Sequence, residues 1–360
     1  MIPTTALPRL TTLSFLAVVA LTSGLACQTT VVVPCAADNT LYQHPLGALS
    51  NGLGVGVFAG INGNGEIRRG VMRFNVAASV PAGAKILSAQ LTVNISMTAA
   101  ALPIDVTVHR VLQAWGEGAS NATTSGGGGG APAQAGDATW LHSSFPSTFW
   151  PSPGGNFAPA SSFTMSTPPF GIGMSPIGPG SVNDAQYWLD NPTQNFGWLI
   201  KTAETLAFTA RRMDSRQIAG NTKPTLTVRY ILPGQLGTWG TGCPVGAGTF
   251  GFAFSGAPIG ATTVQLVQSN GPAGAIGANF FSLALDPIGV TLLPACTVYL
   301  PLAGEIIGGS VFILDGSGGA SSPLLIPAGF PGYLIVSQSV ALVNNPLGFV
   351  LSNAGVADLL

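Results

Sequence analysis

From residue 87 to residue 97 apolar and polar side chains alternate without a break. Leu87, Ala89, Leu91, Val93, Ile95 and Met97 fall on one side, and Ser88, Gln90, Thr92, Asn94 and Ser96 on the other. A period of two over that length predicts a strand with one face in a core and one in water. Ile104, Val106 and Val108 repeat the pattern in IDVTVHRV, and Leu226, Val228 and Tyr230 repeat it in TLTVRYI. Strands of this kind belong in antiparallel sheets with one wet face. Two long stretches break the pattern: the glycine-rich 118–138 and the proline- and glycine-punctuated 151–180. Both are predicted to be exposed loops. A short helix is predicted over 181–192, with Ser181 as its cap, Asp184 three residues on and Pro192 at its end.

Beyond residue 231 the pattern changes. LPGQLGTWGTGCP (232–244) reads as a linker running into a second domain, with VFIL (311–314) and YLIV (333–336) as strands buried on both faces. Helical periodicity of any length is missing there. The predicted organisation is therefore all-β: a first domain over 36–231, a linker over 232–242 and a second β-sandwich over 243–360.

Composition sharpens this picture. The chain has 360 residues, 7% charged and 46% hydrophobic, with a net charge of −1. No Lys/Arg field exists to track a phosphate backbone, which argues against nucleic-acid binding. No apolar run reaches the roughly 20 residues that span a bilayer as a helix. The N-terminus has the order of an export signal: Arg9, the apolar LSFLAVVAL (13–21), then Gly24 and Ala26 before a cleavage point after residue 26. Cys27 at that point raises lipidation, although GLAC lacks the usual Leu three residues before the Cys. The expected location is secreted or at the cell surface. Export permits disulfides. Cys243 and Cys296 both lie in the last third and are the predicted pair; Cys35 pairs with Cys27 or stays free.

A family resemblance covers most of the first domain. DNTLYQ (38–43), LSNGLGVGVFAG (49–60), RRGVMRFNV (68–76), PAGAKILSAQLTV (81–93), VHRVLQAWGEG (108–118), GDATWLH (136–142), YWLDNPTQNFGW (187–198), RRMDSR (211–216) and KPTLTVRY (223–230) follow one another in order. In this succession the domain resembles the DNRLRE-type domains of secreted bacterial proteins, which look like carbohydrate-binding-module β-sandwiches. The resemblance implies a jelly-roll-like fold and a polysaccharide or cell-surface glycan as partner. The opening motif departs from the family at Thr40, Tyr42 and Gln43, where Arg, Arg and Glu are usual, and Asn75 stands where Asp is common. GTGCP (240–244), GAPIG (256–260), LPACTVYL (293–300), LLIPAGFPGYLIVSQSVAL (324–342) and LSNAGVADL (351–359) resemble a Cys-paired domain at the C-terminus of planctomycete exported proteins. No activity is implied by that second likeness.

Candidate chemistry is concentrated in two arginine clusters. Arg68, Arg69 and Arg73 make one, and Arg211, Arg212 and Arg216 the other; together they are half of the 12 Lys and Arg. Arg73 shares a side with Arg69, opposite Met72, Phe74 and Val76. If the two clusters lie on neighbouring strands, Arg69, Arg73, Arg212 and Arg216 form one outward patch for acidic sugar or sulphate. The competing reading is arginine–carboxylate stapling through Glu66, Glu204 and Asp214. Trp115 and Trp140 are candidates to stack on sugar rings, with core anchoring as the alternative. Glu117 and Asp137 are the calcium candidates and also the only pair offered for glycosidase chemistry. With no GxSxG, HExxH or P-loop lysine, the expectation is a non-enzymatic protein needing no cofactor. A purely structural surface protein and a cryptic polysaccharide-active enzyme are the alternatives.

Overall fold

The computed structural model describes residues 28–303 and 306–360, so the predicted export signal and Cys27 lie outside the described residues. The chain is nearly all β. Its organising element is the first strand, Thr29–Tyr42. The first half of this strand pairs antiparallel with Thr225–Ile231, from Thr29↔Tyr230 to Pro34↔Thr225. The second half pairs with Ile67–Phe74, from Cys35↔Phe74 to Tyr42↔Arg68, and the register breaks between Cys35 and Ala37. Such an irregularity bends a strand and lets it pass from one sheet to another.

Two layers result. In one the order is Thr29–Tyr42, Thr225–Ile231, Lys85–Thr98, Arg211–Asp214, Gly56–Ile61, with Gly171–Met174 also on Lys85–Thr98. In the other it is Thr29–Tyr42, Ile67–Phe74, Trp198–Lys201, Ile104–Arg110, Phe163–Thr167. The core between them takes the predicted inward rows: Leu91, Val93 and Ile95, then Val106 and Val108, then Leu226 and Val228. Val106 and Val108 belong to the second layer with Met72, Phe74, Trp198 and Ile200, and these face the rows of Lys85–Thr98 and Thr225–Ile231. Ala185, Trp188 and Leu189 of the helix Pro179–Asp190 close the same core.

That helix starts earlier than its predicted cap. Gly178 is the N-cap and Pro179 follows it, while Ser181 is inside, its hydroxyl donating to Ala89 O. Proline's fixed φ suits the first helical position, where no N–H is needed.

The predicted exposed loops are corrected in part: within 118–138 Ser120, Ala122, Asp137 and Ala138 are buried, while Asn121, Thr123, Pro132 and Gln134 are exposed. Trp115, Ala138, Trp140 and Trp150, from within 112–157, pack against Ala37, Leu41, Val71 and Leu199. Those four lie on the outer face of the second layer, which is apolar and so needs a cover. The glycines of 118–138 let this segment fold tightly: Gly118, Gly130 and Gly136 have φ of 75°, 72° and 90°. The stretch 151–180 holds the strands Phe163–Thr167 and Gly171–Met174 and the start of the helix.

The predicted linker is not a free tether. Leu232–Gln235 turns tightly around Gly234 (φ 78°), and Leu236–Trp239 is already a strand, paired with Phe349–Asp358. Leu87 and Ile231 share an apolar cluster with Trp239, Leu300, Val336 and Val356. Among the described residues no ladder joins a strand of 29–231 to one of 236–358, yet the two sets touch through this cluster.

The second set has a five-stranded sheet in the order Leu236–Trp239, Phe349–Asp358, Leu334–Leu342, Ile276–Ser282, Ile306–Ile313. A three-stranded sheet, Gly251–Ser255, Thr263–Ser269, Ala320–Leu325, packs on it through Phe252, Phe254, Val264, Leu266, Phe281 and Ala357. Cys243 and Cys296 lie at disulfide distance, Cα to Cα 4.4 Å, as predicted. VFIL does not lie buried on both faces: Val311 is 78% and Ile313 70% exposed, while Phe312 and Leu314 are buried. The run sits in the edge strand Ile306–Ile313 and the turn after it, where no described residue buries Val311 or Ile313.

Candidate functional site

The two arginine clusters do not lie on neighbouring strands. Gly56–Ile61 runs between Ile67–Phe74 and Arg211–Asp214. The expected single outward patch of Arg69, Arg73, Arg212 and Arg216 is therefore not formed.

Three of those four side chains are tied into the fold. Arg69 reaches Glu204 with two parallel bonds, Nε to Oε1 at 2.7 Å and Nη2 to Oε2 at 2.8 Å, and donates from Nη1 to Gly154 O at 2.8 Å. Its guanidinium lies 4.9 Å from the ring centre of Trp140. Burial pushes the Glu204 carboxyl up, but the bonds and charge of Arg69, with Lys201 Nζ at 3.2 Å, outweigh it and hold Glu204 below the usual carboxylate range. Arg212 donates to Ser96 Oγ at 2.6 Å and to Val55 O at 3.1 Å, with Asp214 Oδ1 3.7 Å away. A Cβ on Gly56 would collide with that arginine, which is why the neighbouring strand carries glycine there. Arg216 grips Glu117, Nε to Oε1 at 2.6 Å and Nη2 to Oε2 at 2.5 Å. In the same clusters, Arg68 meets Glu66 at 2.9 Å, and buried Arg211 is capped by Thr98 Oγ1 and the carbonyls of Ala100 and Leu102.

Arg73 differs from all of these. Among the described residues it makes no ion pair and no side-chain hydrogen bond. Its guanidinium stands 5.9 Å from the Trp115 ring centre. It borders a polar cleft of about 190 Å³ with Ala36, Asn75, Pro192 and Asn195. Local structure makes this cleft. Asn75 follows the Ile67–Phe74 strand and precedes the turn Val76–Ser79 without a side-chain capping bond, and Asn195 follows the turn Pro192–Gln194. Asn195 is buried; its Nδ2 donates to Phe74 O at 2.7 Å, and its Oδ1 has no partner. The Arg73 guanidinium, with no bonded partner among the described residues, can meet acid oxygens at this cleft, while the Asn195 oxygen is sealed beneath it.

Both tryptophan candidates are buried. Trp115 Nε1 donates to Phe196 O at 2.8 Å, and Trp140 carries Arg69 on its face, so neither offers a bare ring to solvent. The exposed aromatic rings of this half are instead Phe149, Phe170 and Phe208, none of which lies in a quoted motif; Tyr187, which opens YWLDNPTQNFGW, carries Arg110 on its face.

Glu117 and Asp137 do not face one another across an opening. Glu117 Oε1 accepts the Asp38 N–H at 3.0 Å and Gln217 Nε2 at 3.0 Å besides Arg216. Asp137 is fully buried and accepts the N–H groups of Ala119, Ser120 and Gln134. Their oxygens are turned toward donors, which suits neither a calcium ion nor a glycosidic bond. Among the described residues no three of His, Cys, Asp and Glu are grouped to hold an ion.

What residue-by-residue reasoning missed is the polar hub beneath this site. Asn39 donates to Ser50 Oγ at 2.9 Å and Glu117 O at 2.8 Å, and its Oδ1 accepts the N–H groups of Thr40 and Asn51. Asp38 Oδ2 accepts the Arg216 N–H at 2.6 Å, while Oδ1 is buried without a partner. Burial pushes the Asp38 carboxyl up to about 7, against the pull of that N–H. Cys35, without a disulfide partner among the described residues, points its thiol at Asp38 and Ala37 O, and burial drives its pKa up. The signal was present in the DN of DNTLYQ, whose two residues are the hub.

A larger cleft of about 710 Å³ opens between the two halves, with walls from Ile86, Leu87, Pro179 and Val182 on one side and Leu285 and Pro287 on the other. Asp286, its acidic side chain, is occupied in a turn, accepting the N–H groups of Ile288 and Gly289. No protein-family model matches the chain, and no curated protein sequence matches it.

Proposed function

We propose that the chain is an exported, non-enzymatic surface or extracellular protein whose first β-sandwich binds polysaccharide bearing acidic groups, with Arg73 as the contact. The order of the quoted motifs supports the carbohydrate-binding-module likeness, and the N-terminal charge and apolar core support export. One observation carries the ligand reading: Arg73 is the single arginine of its clusters without a bonded partner among the described residues, and it borders a polar cleft with Asn195. A cleft of this size is below the roughly 300 Å³ of sites for drug-sized ligands and suits one sugar unit of a polymer. The test is a glycan-array screen of the full chain, including uronic-acid and sulphated polymers. Binding should weaken as salt rises, because charges are screened beyond about 10 Å at 0.1 M ionic strength. Arg73→Gln should abolish binding and leave the melting curve unchanged. Failure of every acidic polymer to bind the wild type overturns the proposal.

A second reading is a structural surface protein without a ligand. It is favoured by the pairing of Arg69 with Glu204 and Arg216 with Glu117, which uses those arginines as staples between loops and strands.

A further inference from the structure

The edge strand Ile306–Ile313 is exposed on two sides. It pairs with Ile276–Ser282, and among the described residues no strand pairs with its other side. Its backbone N–H and C=O groups on that side form an open template for another strand. Natural edges are commonly blunted with Lys, Pro, short length or a covering element. The opposite edge of the same sheet, Leu236–Trp239, has four residues and lies against Arg229 of the first half. The edge strand Ala320–Leu325 of the smaller sheet carries Pro323. Ile306–Ile313 has eight residues, no charge and no proline.

Its outer face is apolar as well. The register sets Ile313 beside Ile276 and Val311 beside Ala278, with Leu342 on the next strand. Ile276, Ile306, Ile307, Val311, Ile313 and Leu342 are each exposed by half or more. The disulfide cluster takes Phe312 from the inner face of this edge, together with Leu314, Val340 and Leu351, and includes none of those exposed residues.

We propose that the chain associates with a second copy of itself by antiparallel pairing of Ile306–Ile313 across a two-fold axis at Ser310. This pairing is self-complementary. It sets Val311 opposite Gly309, Phe312 opposite Gly308 and Ile313 opposite Ile307 of the other copy, so large meets small near the centre and aliphatic meets aliphatic at the ends. Gly308 supports this independently. A Cβ there would meet nothing within 4 Å, and its φ lies outside the left-handed region, so the chain's own fold does not require a glycine. The two-fold also brings no charge opposite a charge. Beyond Arg229 the sequence has acids and no Lys, Arg or His, so an acidic partner strand would be repelled, whereas this one is neutral.

Area sets the strength. Taking on the order of 100 Å² for an aliphatic side chain, each copy offers roughly 400 Å² of exposed apolar surface along this edge. A stable interface buries about 800 Å² per partner. The paired backbone adds to the side-chain area, and the result is a dimer of modest affinity rather than an obligate one. The two acid-only halves repel weakly across it, so association should strengthen as salt rises. That sign is opposite to the one expected for polysaccharide binding by the first half.

The experiment is sedimentation equilibrium on the full oxidised chain over a range of concentrations. The expected result is a monomer–dimer equilibrium. Val311→Lys should weaken association by at least about tenfold, because a lysine on an open edge opposes pairing; its melting curve should match the wild type, since Val311 is 78% exposed. Ser310→Cys should cross-link copies on mild oxidation, whereas Thr249→Cys, exposed on another hairpin, should not. A wild type that stays monomeric at every concentration overturns the proposal. So does a dimer that Val311→Lys leaves intact, a Ser310→Cys variant that fails to cross-link, or open-ended oligomers.

Discussion

The two halves of this molecule solve the same problem in opposite ways. Each must dispose of a sheet whose outer face is partly apolar. Residues 28–231 hold every Lys and Arg except Arg9, and there the chain covers its own face: the 112–157 segment lays three tryptophans over Ala37, Leu41, Val71 and Leu199. Arginine–carboxylate pairs then fasten loops to strands, Glu204 through Arg69 and Glu117 through Arg216. The half after residue 231 has no cation to use. It fastens its covering hairpins by the Cys243–Cys296 bridge and leaves the Ile306–Ile313 edge open. The difference teaches that sparse charge here is not a surface property. Most of it is internal fastening, and where it is missing a covalent link takes over and an apolar edge stays exposed.

That contrast can be broken from either side. The largest effect should come from Cys243→Ser with Cys296→Ser. With 53 residues of separation, the lost cross-link costs about 4 kcal/mol in the chain-entropy account. Calorimetry should show the second half melting earlier with the first half unchanged; a uniform shift of one transition would mean that the two halves unfold as a unit. Next is Arg69→Met. Side chains 13% and 9% exposed make this a largely buried pair, and removing one partner leaves Glu204 with Lys201 alone. A loss of about 3 kcal/mol is expected, read as a fall in denaturation midpoint. Because the folded pKa of Glu204 is lowered, the stability from this pair is present above the unfolded value of about 4.3 and is lost as pH falls through the folded value. Arg69→Met should lose that acid dependence.

Asp38 should act with the opposite sign. Its folded pKa of about 7 exceeds the unfolded value of about 3.9, so its contribution is fully present below pH 4 and is lost as pH rises toward 7. Asp38→Asn should flatten this slope and raise stability at pH 7 by on the order of 2 kcal/mol, measured by urea unfolding at several pH values. A slope unchanged by the substitution would show that another group sets it. Arg73→Gln should have the smallest effect, within about 0.5 kcal/mol, as befits a side chain without a bonded partner. A large loss would return Arg73 to the staples and leave the first half without a free cation at its polar cleft.

Sequence alone reached the strands whose faces differ. Leu91, Val93 and Ile95 went inward because period two and a one-sided core agree at Lys85–Thr98. The Cys pair was legible from position, since two cysteines in a charge-poor tail had few other partners. The arginine side of Ile67–Phe74 was legible too, but its meaning was not. Alternation says that Arg69 and Arg73 leave the core; it cannot say that a loop some 85 positions away returns Gly154 O to one of them and leaves the other bare. Tryptophans at 115 and 140 fit a sugar platform and a second core equally well as residues.

What the sequence determined by itself is local: strand periodicity, the absence of a long apolar helical run, and the change of pattern beyond residue 231. These follow from backbone sterics and from side chains alternating along one strand. The tertiary structure alone decided which polar groups are satisfied. Glu204 and Arg69 are 135 positions apart, and Glu117 and Arg216 are 99 apart. An arginine becomes a staple or a contact according to which carboxylate the fold delivers within 3 Å, as the pairing of Trp198–Lys201 with Ile67–Phe74 brings the segment after it to Arg69. Likewise VFIL became an edge because no other described strand joined it, a fact of sheet order that no short window of sequence contains.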